Sequence, residues 1–235
     1  MQIFRQPDAP SASAAAGEWL NLLLTDNQKR PVLLMLSAGS ALLILDYVGP
    51  AALGANLTVS MLDERFSADP TANNFVQMQK TDFYKDALQA EASFFGTLPR
   101  PDDTMESLTK RWEGNLKTWV SDNPAGIIIA TLGLGQDGHT AGIFPYPEDP
   151  GKFDKLFGTA DWIAAYDVAG KHQHSKRITA TPAFFKKIDF GIGYVVGQEK
   201  KPAFDKLSSG DRNIAAFPAA VWHEIKNLKI FTDIA

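Results

Sequence analysis

The chain has 235 residues, of which 45% are hydrophobic and 21% charged, with a net charge of −4. The length suffices for a sizeable core in one domain, alone or with a small lobe. The negative balance argues against general nucleic-acid binding, and the absence of cysteine excludes disulfides, thiolate metal sites and a cysteine nucleophile.

The N-terminus, Met1-Gln-Ile-Phe-Arg-Gln-Pro-Asp8, lacks the basic region and apolar core of a signal peptide. No apolar run approaches the ~20 residues that span a bilayer. A cytoplasmic protein without membrane contacts is expected. Pro10 to Leu24 has helical apolar spacing through Trp19, Leu20 and Leu22–Leu24, with Ser11 as the N-cap. Val32–Leu36 is a short apolar run of the strand type. It ends in Ser37-Ala38-Gly39-Ser40, and a helical pattern follows from Ala41 to Val48. A strand, a Ser/Gly loop and a helix N-terminus together outline an anion site; the alternative is a plain cap supplied by Ser40. Ala55–Leu62 predicts a third strand, which delivers Asp63, Glu64 and Arg65 at its end. Those three read either as a solvated loop or as charges aimed at a charged substrate.

Asn73 to Glu91 reads as two helical pieces joined at Thr81-Asp82, and Phe94-Phe95 as a short strand. Asp103 to Val120 is amphipathic, with Met105, Leu108, Trp112, Leu116, Trp119 and Val120 on one face. The apolar run Gly126–Ala130 predicts a strand buried on both faces. It leads into Thr131-Leu-Gly-Leu-Gly-Gln-Asp-Gly-His-Thr-Ala-Gly-Ile-Phe-Pro145, with Gly133, Gly135 and Gly138 spaced around Asp137 and His139. Glycines permit unusual turns and a close backbone approach to a ligand. A buried strand ending in such a loop is where an open α/β sheet places its ligand. Thr140–Phe144 reads as a helical turn stopped by Pro145 and Pro147. Beyond it, Lys152–Phe157 is a short amphipathic piece and Asp161–Val168 a strand. His172 and His174 form an H-x-H pair in a polar loop, which without acidic or cysteine neighbours reads as solvated and not as a metal site. Arg177–Pro182 and Phe190–Val196 are strands, Gly197–Lys200 is followed by a helix to Leu207, and Leu228 begins a last strand.

The string from Gly133 to Pro145 resembles the signature GLGxDGHTAxxFP of the 6-phosphogluconolactonases, which share a superfamily with the glucosamine-6-phosphate deaminases. Further segments follow the family in order. Ser37-Ala38-Gly39-Ser40-Ala41-Leu42 resembles its SGGSTP phosphate loop, with Ala38 in place of the first glycine, a substitution expected to alter the loop's shape, and without the Thr-Pro pair. Asp63-Glu64-Arg65 matches its DER, with Thr71-Ala-Asn73-Asn74 downstream. Arg177-Ile-Thr-Ala-Thr resembles RITLT, Lys200 matches the lysine of V-x-G-x-x-K, and Phe217-Pro-Ala-Ala-Val-Trp-His-Glu resembles its C-terminal LPAA helix.

The resemblance implies a Rossmann-like, open and mostly parallel sheet flanked by helices, with a small additional lobe, of the NagB/RpiA/CoA transferase-like kind, in one domain over residues 1–235. It implies hydrolysis of 6-phospho-D-glucono-1,5-lactone in the oxidative pentose phosphate pathway. His139, Asp137 and Asp63 would be catalytic, and histidine titrates near neutrality as a general base should. Ser37, Gly39, Ser40, Arg65, Gly135, Gly138, Arg177 and Lys200 would bind the sugar phosphate. Backbone N–H groups of Gly135 to Gly138, or Arg65, would stabilise the oxyanion. No cofactor or metal is expected, and the chain is expected to be a monomer or weak homodimer. The alternatives are a glucosamine-6-phosphate deaminase or isomerase and a catalytically silent sugar-phosphate-binding regulator. The deaminases carry GHIAFNEP, whose glutamate falls at Phe144, and MDEY where this chain has Leu62-Asp63-Glu64-Arg65. Both differences favour the lactonase, and the lack of a basic N-terminal module disfavours a DNA-binding regulator.

Overall fold

The computed structural model describes residues 1–168 and 174–235. Three buried strands form the centre of the molecule: β2 (Val32–Leu36), β3 (Leu57–Met61) and β6 (Ile127–Gly133). β2 is a continuous apolar run and is buried throughout; β3 is equally buried although Thr58 and Ser60 alternate with its apolar residues, because Thr58 Oγ1 accepts the Trp119 indole N–H and Ser60 Oγ donates to Phe95 O. β2 lies between the other two, with Val32 opposite both Leu57 and Ile127. The sheet extends beyond β6 through β9 (Phe190–Val195), β10 (Asn227–Thr232) and β1 (Gln2–Arg5), and beyond β3 through β5 (Ser93–Phe94). All seven strands run parallel, in the order β1-β10-β9-β6-β2-β3-β5.

The expected mostly parallel sheet with flanking helices is therefore present, and so is the smaller lobe. It is a three-stranded antiparallel sheet of β4 (Asp63–Arg65), β8 (Lys176–Ala180) and β7 (Ile163–Asp167), with β8 in the middle. β4 follows β3 after one residue, so the chain steps from the large sheet onto the small one at Leu62.

Helix α1 (Ala9–Asp26) buries Ala12, Ala16, Leu20, Leu23 and Leu24. Its cap is Asp8, whose carboxylate accepts the Ser11 N–H at 2.8 Å, so Ser11 lies inside the first turn and is not the N-cap. The two pieces expected after Asn73 are α2 (Asn74–Gln79) and α3 (Asp82–Gln89), divided at Thr81, which caps α3. α4 (Met105–Asp122) begins with a capping box between Thr104 and Ser107 and buries Leu108, Trp112, Leu116 and Trp119. Short helices α5 (Pro150–Phe157), α6 (Pro182–Phe185) and α7 (Lys201–Ser208) complete the layers.

Three sequence expectations are corrected. The segment after β2 is a run of 3-10 turns over Gly39–Tyr47 and not an α-helix; no side chain caps its start. Pro218–Glu224 is likewise 3-10. Thr140–Phe144 is a turn closed by a bridge between Thr140 and Ile143, with Ala141 at φ 49°, and not a helical turn. No helix among the described residues is long and apolar enough to cross a membrane.

Candidate active site

Strand order reverses between β2 and β6: from β2 the chain winds through β3 to β5, and from β6 through β9 and β10. The loops at the carboxyl ends of two such strands part and leave a crevice. Here the crevice is a cleft of about 560 Å³, roofed by the small sheet.

One wall is the loop after β6. Gly135 N–H donates to His139 O at 2.9 Å and Gly138 N–H to Gly135 O at 3.0 Å, closing the loop on itself. Thr140 Oγ1 donates to Gly133 O and accepts Trp222 Nε1–H at 2.8 Å, which fastens the loop's far end to the core. Asp137 Oδ1 accepts the His139 N–H at 3.0 Å and lies 2.6 Å from His139 Nδ1. An ionised Asp137 thus accepts a hydrogen bond from His139 Nδ1–H, which leaves Nε2 with the free lone pair of a neutral imidazole. Burial pushes the Asp137 carboxyl up, but its hydrogen bonds with His139 and the charge there outweigh it and hold it below its ordinary value. The ring stacks on Phe144, 4.8 Å between centroids and 25° apart. Both acid and imidazole keep water contact, with side chains 49% and 34% exposed. Gly135 is required by space: a Cβ there would stand 2.0 Å from His139 Nδ1.

The loop after β2 forms the next wall. Ser37 N–H donates to Thr131 Oγ1 at 3.1 Å and so ties this loop to β6. Ala38 is extended, at φ −88° and ψ −169°, while Gly39 takes the left-handed conformation at φ 67°. An alanine therefore fits at position 38 without strain, contrary to the expected distortion, because the one left-handed position of this loop is still a glycine. Ser37, Gly39 and Ser40 all line the cleft.

The roof is assembled from distant segments. In the small sheet Arg65 stands opposite Arg177, and Asp63 opposite Thr179. Arg177 is 2% exposed; its Nη1 lies 3.5 Å from Asp63 Oδ2 and its Nε–H donates to His174 O at 3.0 Å. Burial lowers the Arg177 pKa, with the Asp63 charge opposing. Its guanidinium also sits 5.5 Å over the Phe144 ring, which thus packs against both His139 and Arg177. Lys200 enters from the turn after β9, and burial lowers its pKa against the pull of Glu199 and Asp233.

Glu64 sits between Asp63 and Arg65 and is completely buried. Alternation along a strand turns it away from its two neighbours. Its carboxylate accepts four hydrogen bonds: from Arg65 N–H at 2.8 Å and Asn74 N–H at 2.6 Å on Oε1, and from Phe75 N–H and the Thr97 hydroxyl, both at 2.9 Å, on Oε2. Burial pushes its pKa up to about 7 against those bonds. Glu64 is therefore neither part of a solvated loop nor a charge aimed at a substrate, and strand alternation is the signal that assigns it to the other side.

Every site candidate named from the sequence lines the cleft except Gly138. Gly138 sits behind the loop at φ 83°, and a Cβ there would run into the Phe217 ring at 2.2 Å. With the Gly135 and Gly138 N–H groups spent inside the loop, neither is the free donor expected for an oxyanion. His172 lies outside the described residues, and His174 contributes its carbonyl to Arg177.

A family model described as glucosamine-6-phosphate isomerases/6-phosphogluconolactonase matches residues 8–230. The chain belongs to this family. Among curated members, the 6-phosphogluconolactonase of Nostoc sp. is 24% identical over 67% of this chain, and that of Xylella fastidiosa 26% identical over 80%. The chain spans 62% of the length of the Nostoc protein and 77% of that from Xylella. The fold is that of solved family structures. The 6-phosphogluconolactonase of Trypanosoma brucei superposes with a TM-score of 0.75 at 19% identity, covering 98% of this chain and 95% of the other. That of Shewanella baltica gives 0.73 at 18%, covering 99% and 97%. A monomeric glucosamine-6-phosphate deaminase gives 0.74 at 16%, covering 99% and 97%. Both branches of the family share this backbone, so the side chains of the cleft must choose between them.

Proposed function

We propose that the chain hydrolyses 6-phospho-D-glucono-1,5-lactone to 6-phospho-D-gluconate, the lactonase step of the oxidative pentose phosphate pathway. The observation that carries the reading is the Asp137–His139 pair, joined at 2.6 Å through Nδ1 and set in a cleft with Arg65, Arg177 and Lys200. This is an imidazole with its Nε2 lone pair free, facing a cationic pocket, the combination that hydrolysis of a phosphorylated ester needs.

His139 Nε2 takes a proton from water as the water oxygen bonds to the lactone carbonyl carbon. The carbonyl electrons move onto oxygen, and Arg65 stabilises that oxyanion. Collapse of the tetrahedral intermediate breaks the bond to the ring oxygen. The imidazolium returns its proton to that leaving oxygen, giving the acid and a free hydroxyl. Asp137 fixes the tautomer and stabilises the imidazolium. Lys200, Arg177 and the Ser37–Ser40 loop hold the phosphate by charge-assisted hydrogen bonds, and Asp63 orients Arg177. No bound metal is needed for these steps. Ring opening of an amino sugar is disfavoured because Phe144, at the deaminase glutamate position, cannot move a proton.

The test is hydrolysis of the lactone, generated in situ, measured against its spontaneous rate. The expected result is acceleration by the wild type that collapses in His139→Ala. Absence of acceleration, or release of ammonia from glucosamine 6-phosphate, would overturn the lactonase; tight 6-phosphogluconate binding without turnover would identify a silent binder.

A further inference from the structure

Three buried polar atoms of cleft-lining residues have no hydrogen-bond partner among the described residues: Ser37 Oγ, Arg65 Nε and Asn74 Oδ1. Buried polar atoms are almost always paired, and each exception asks for an explanation. Three exceptions around one cleft mark where the polar groups of a ligand go. Ser37 and Arg65 belong to the anion-binding set already described. Asn74 does not.

Asn74 is 0% exposed. Its amide is oriented by Nδ2, which donates to Asp63 O at 2.9 Å; the flipped amide would set oxygen against oxygen. Its backbone is pinned by Glu64, which accepts the Asn74 and Phe75 N–H groups. The unpaired carbonyl oxygen is therefore fixed in place. A carboxamide oxygen only accepts. A phosphate dianion has no hydrogen to give it, whereas a sugar hydroxyl has.

We propose that Asn74 is a specificity-determining residue whose Oδ1 accepts a hydrogen bond from a hydroxyl on the carbon skeleton of the bound sugar phosphate. This rests on the reading of the cleft as a sugar-phosphate site. The cationic groups grip the phosphate of any phosphorylated ligand, and Asn74 reads whether a hydroxylated chain is attached to it.

Isothermal titration of wild type and Asn74→Ala with 6-phosphogluconate and with inorganic phosphate tests this. In the variant, 6-phosphogluconate is expected to bind about tenfold more weakly, with inorganic phosphate unchanged. Because removal of Nδ2 also frees Asp63, a second measurement uses the wild type alone, titrated with a series of monodeoxy 6-phosphogluconates; one of them is expected to lose about tenfold in affinity. Equal weakening of both ligands in the variant would reduce Asn74 to a structural part. Unchanged 6-phosphogluconate affinity, full affinity for every deoxy analogue, or a wild type that binds 6-phosphogluconate no better than phosphate would each overturn the proposal. Asn74-dependent binding without lactone hydrolysis would keep this inference and remove the lactonase.

Discussion

The two sides of the cleft are built in opposite ways. The loop after β6 carries Asp137 and His139 within one contiguous stretch, closes on its own backbone, and leaves both side chains in contact with water. The roof joins Asp63, Arg65 and Asn74, from the stretch 63–74, to Arg177, more than a hundred residues further along the chain, and Asp63, Asn74 and Arg177 are buried. The Asp137–His139 pair is kept wet and able to exchange protons, while the buried roof side chains are kept dry and committed to one another. A change on the first side should alter rate without unfolding the protein. A change on the second should alter stability and affinity together.

The sharpest separation is expected from His139→Ala. With His139 as the proposed general base, its loss costs ~100- to 10,000-fold in kcat, while removal of a ring about one-third exposed should move stability by less than ~0.5 kcal/mol in urea denaturation. Arg177→Ala should show the opposite balance. It strands the Asp63 carboxylate, 6% exposed, without its guanidinium. Breaking a buried pair from one end costs about 3–5 kcal/mol, so a large fall in the urea midpoint is expected. Asp63→Asn added to Arg177→Ala should recover much of that stability but not the activity. If Arg177→Ala is as stable as wild type, the roof is not the committed structure described above.

The same contrast decides what the sequence could tell. The β6 strand and its loop are local: an apolar run, then three glycines and two titratable groups within a few residues, so both the strand and the Asp137–His139 pair were legible. β2, β3, α1 and α4 were legible for the same reason, since apolar spacing is a local signal. The roof depends on β4 pairing with β8, more than a hundred residues away, and no local pattern carries that pairing. Asp63, Arg65 and Arg177 came from family resemblance, and Asn74 only as a member of a matched motif. β1 escaped because an exposed edge strand buries too little to show an apolar pattern. Thr140–Phe144 was misread because its apolar residues before a proline imitate a helix end. Contacts from Thr179, Tyr166 and Trp222 hold it in a turn instead.

Gly135→Ala tests the wet side from within. Its methyl would overlap the His139 ring at 2.0 Å and force it off Asp137. A displacement near 1 Å is worth about a hundredfold in rate. The fall is expected in kcat at nearly constant KM, with a crystal structure or imidazole NMR shifts reporting the moved ring. An unchanged kcat would mean that the ring's position against Asp137 is unimportant.

The last expectation concerns the dry side and has a definite sign. The Glu64 pKa is raised from an ordinary 4.5 to about 7 in the folded chain. Between those values the folded state binds more protons than the unfolded one, so the contribution of Glu64 is fully present below 4.5 and is lost as pH rises through 7. From about pH 5.5 to about pH 8 the wild type should lose about 2 kcal/mol more than Glu64→Gln, read from paired urea titrations. The Gln variant will also be weaker at every pH, because one carboxamide cannot accept all four donors, so the slope and not the offset carries the result. A flat difference would mean that the four hydrogen bonds keep Glu64 ionised throughout. The roof would then hold a true buried charge, and the rigidity of Asn74 and Arg65 would rest on that charge rather than on packing.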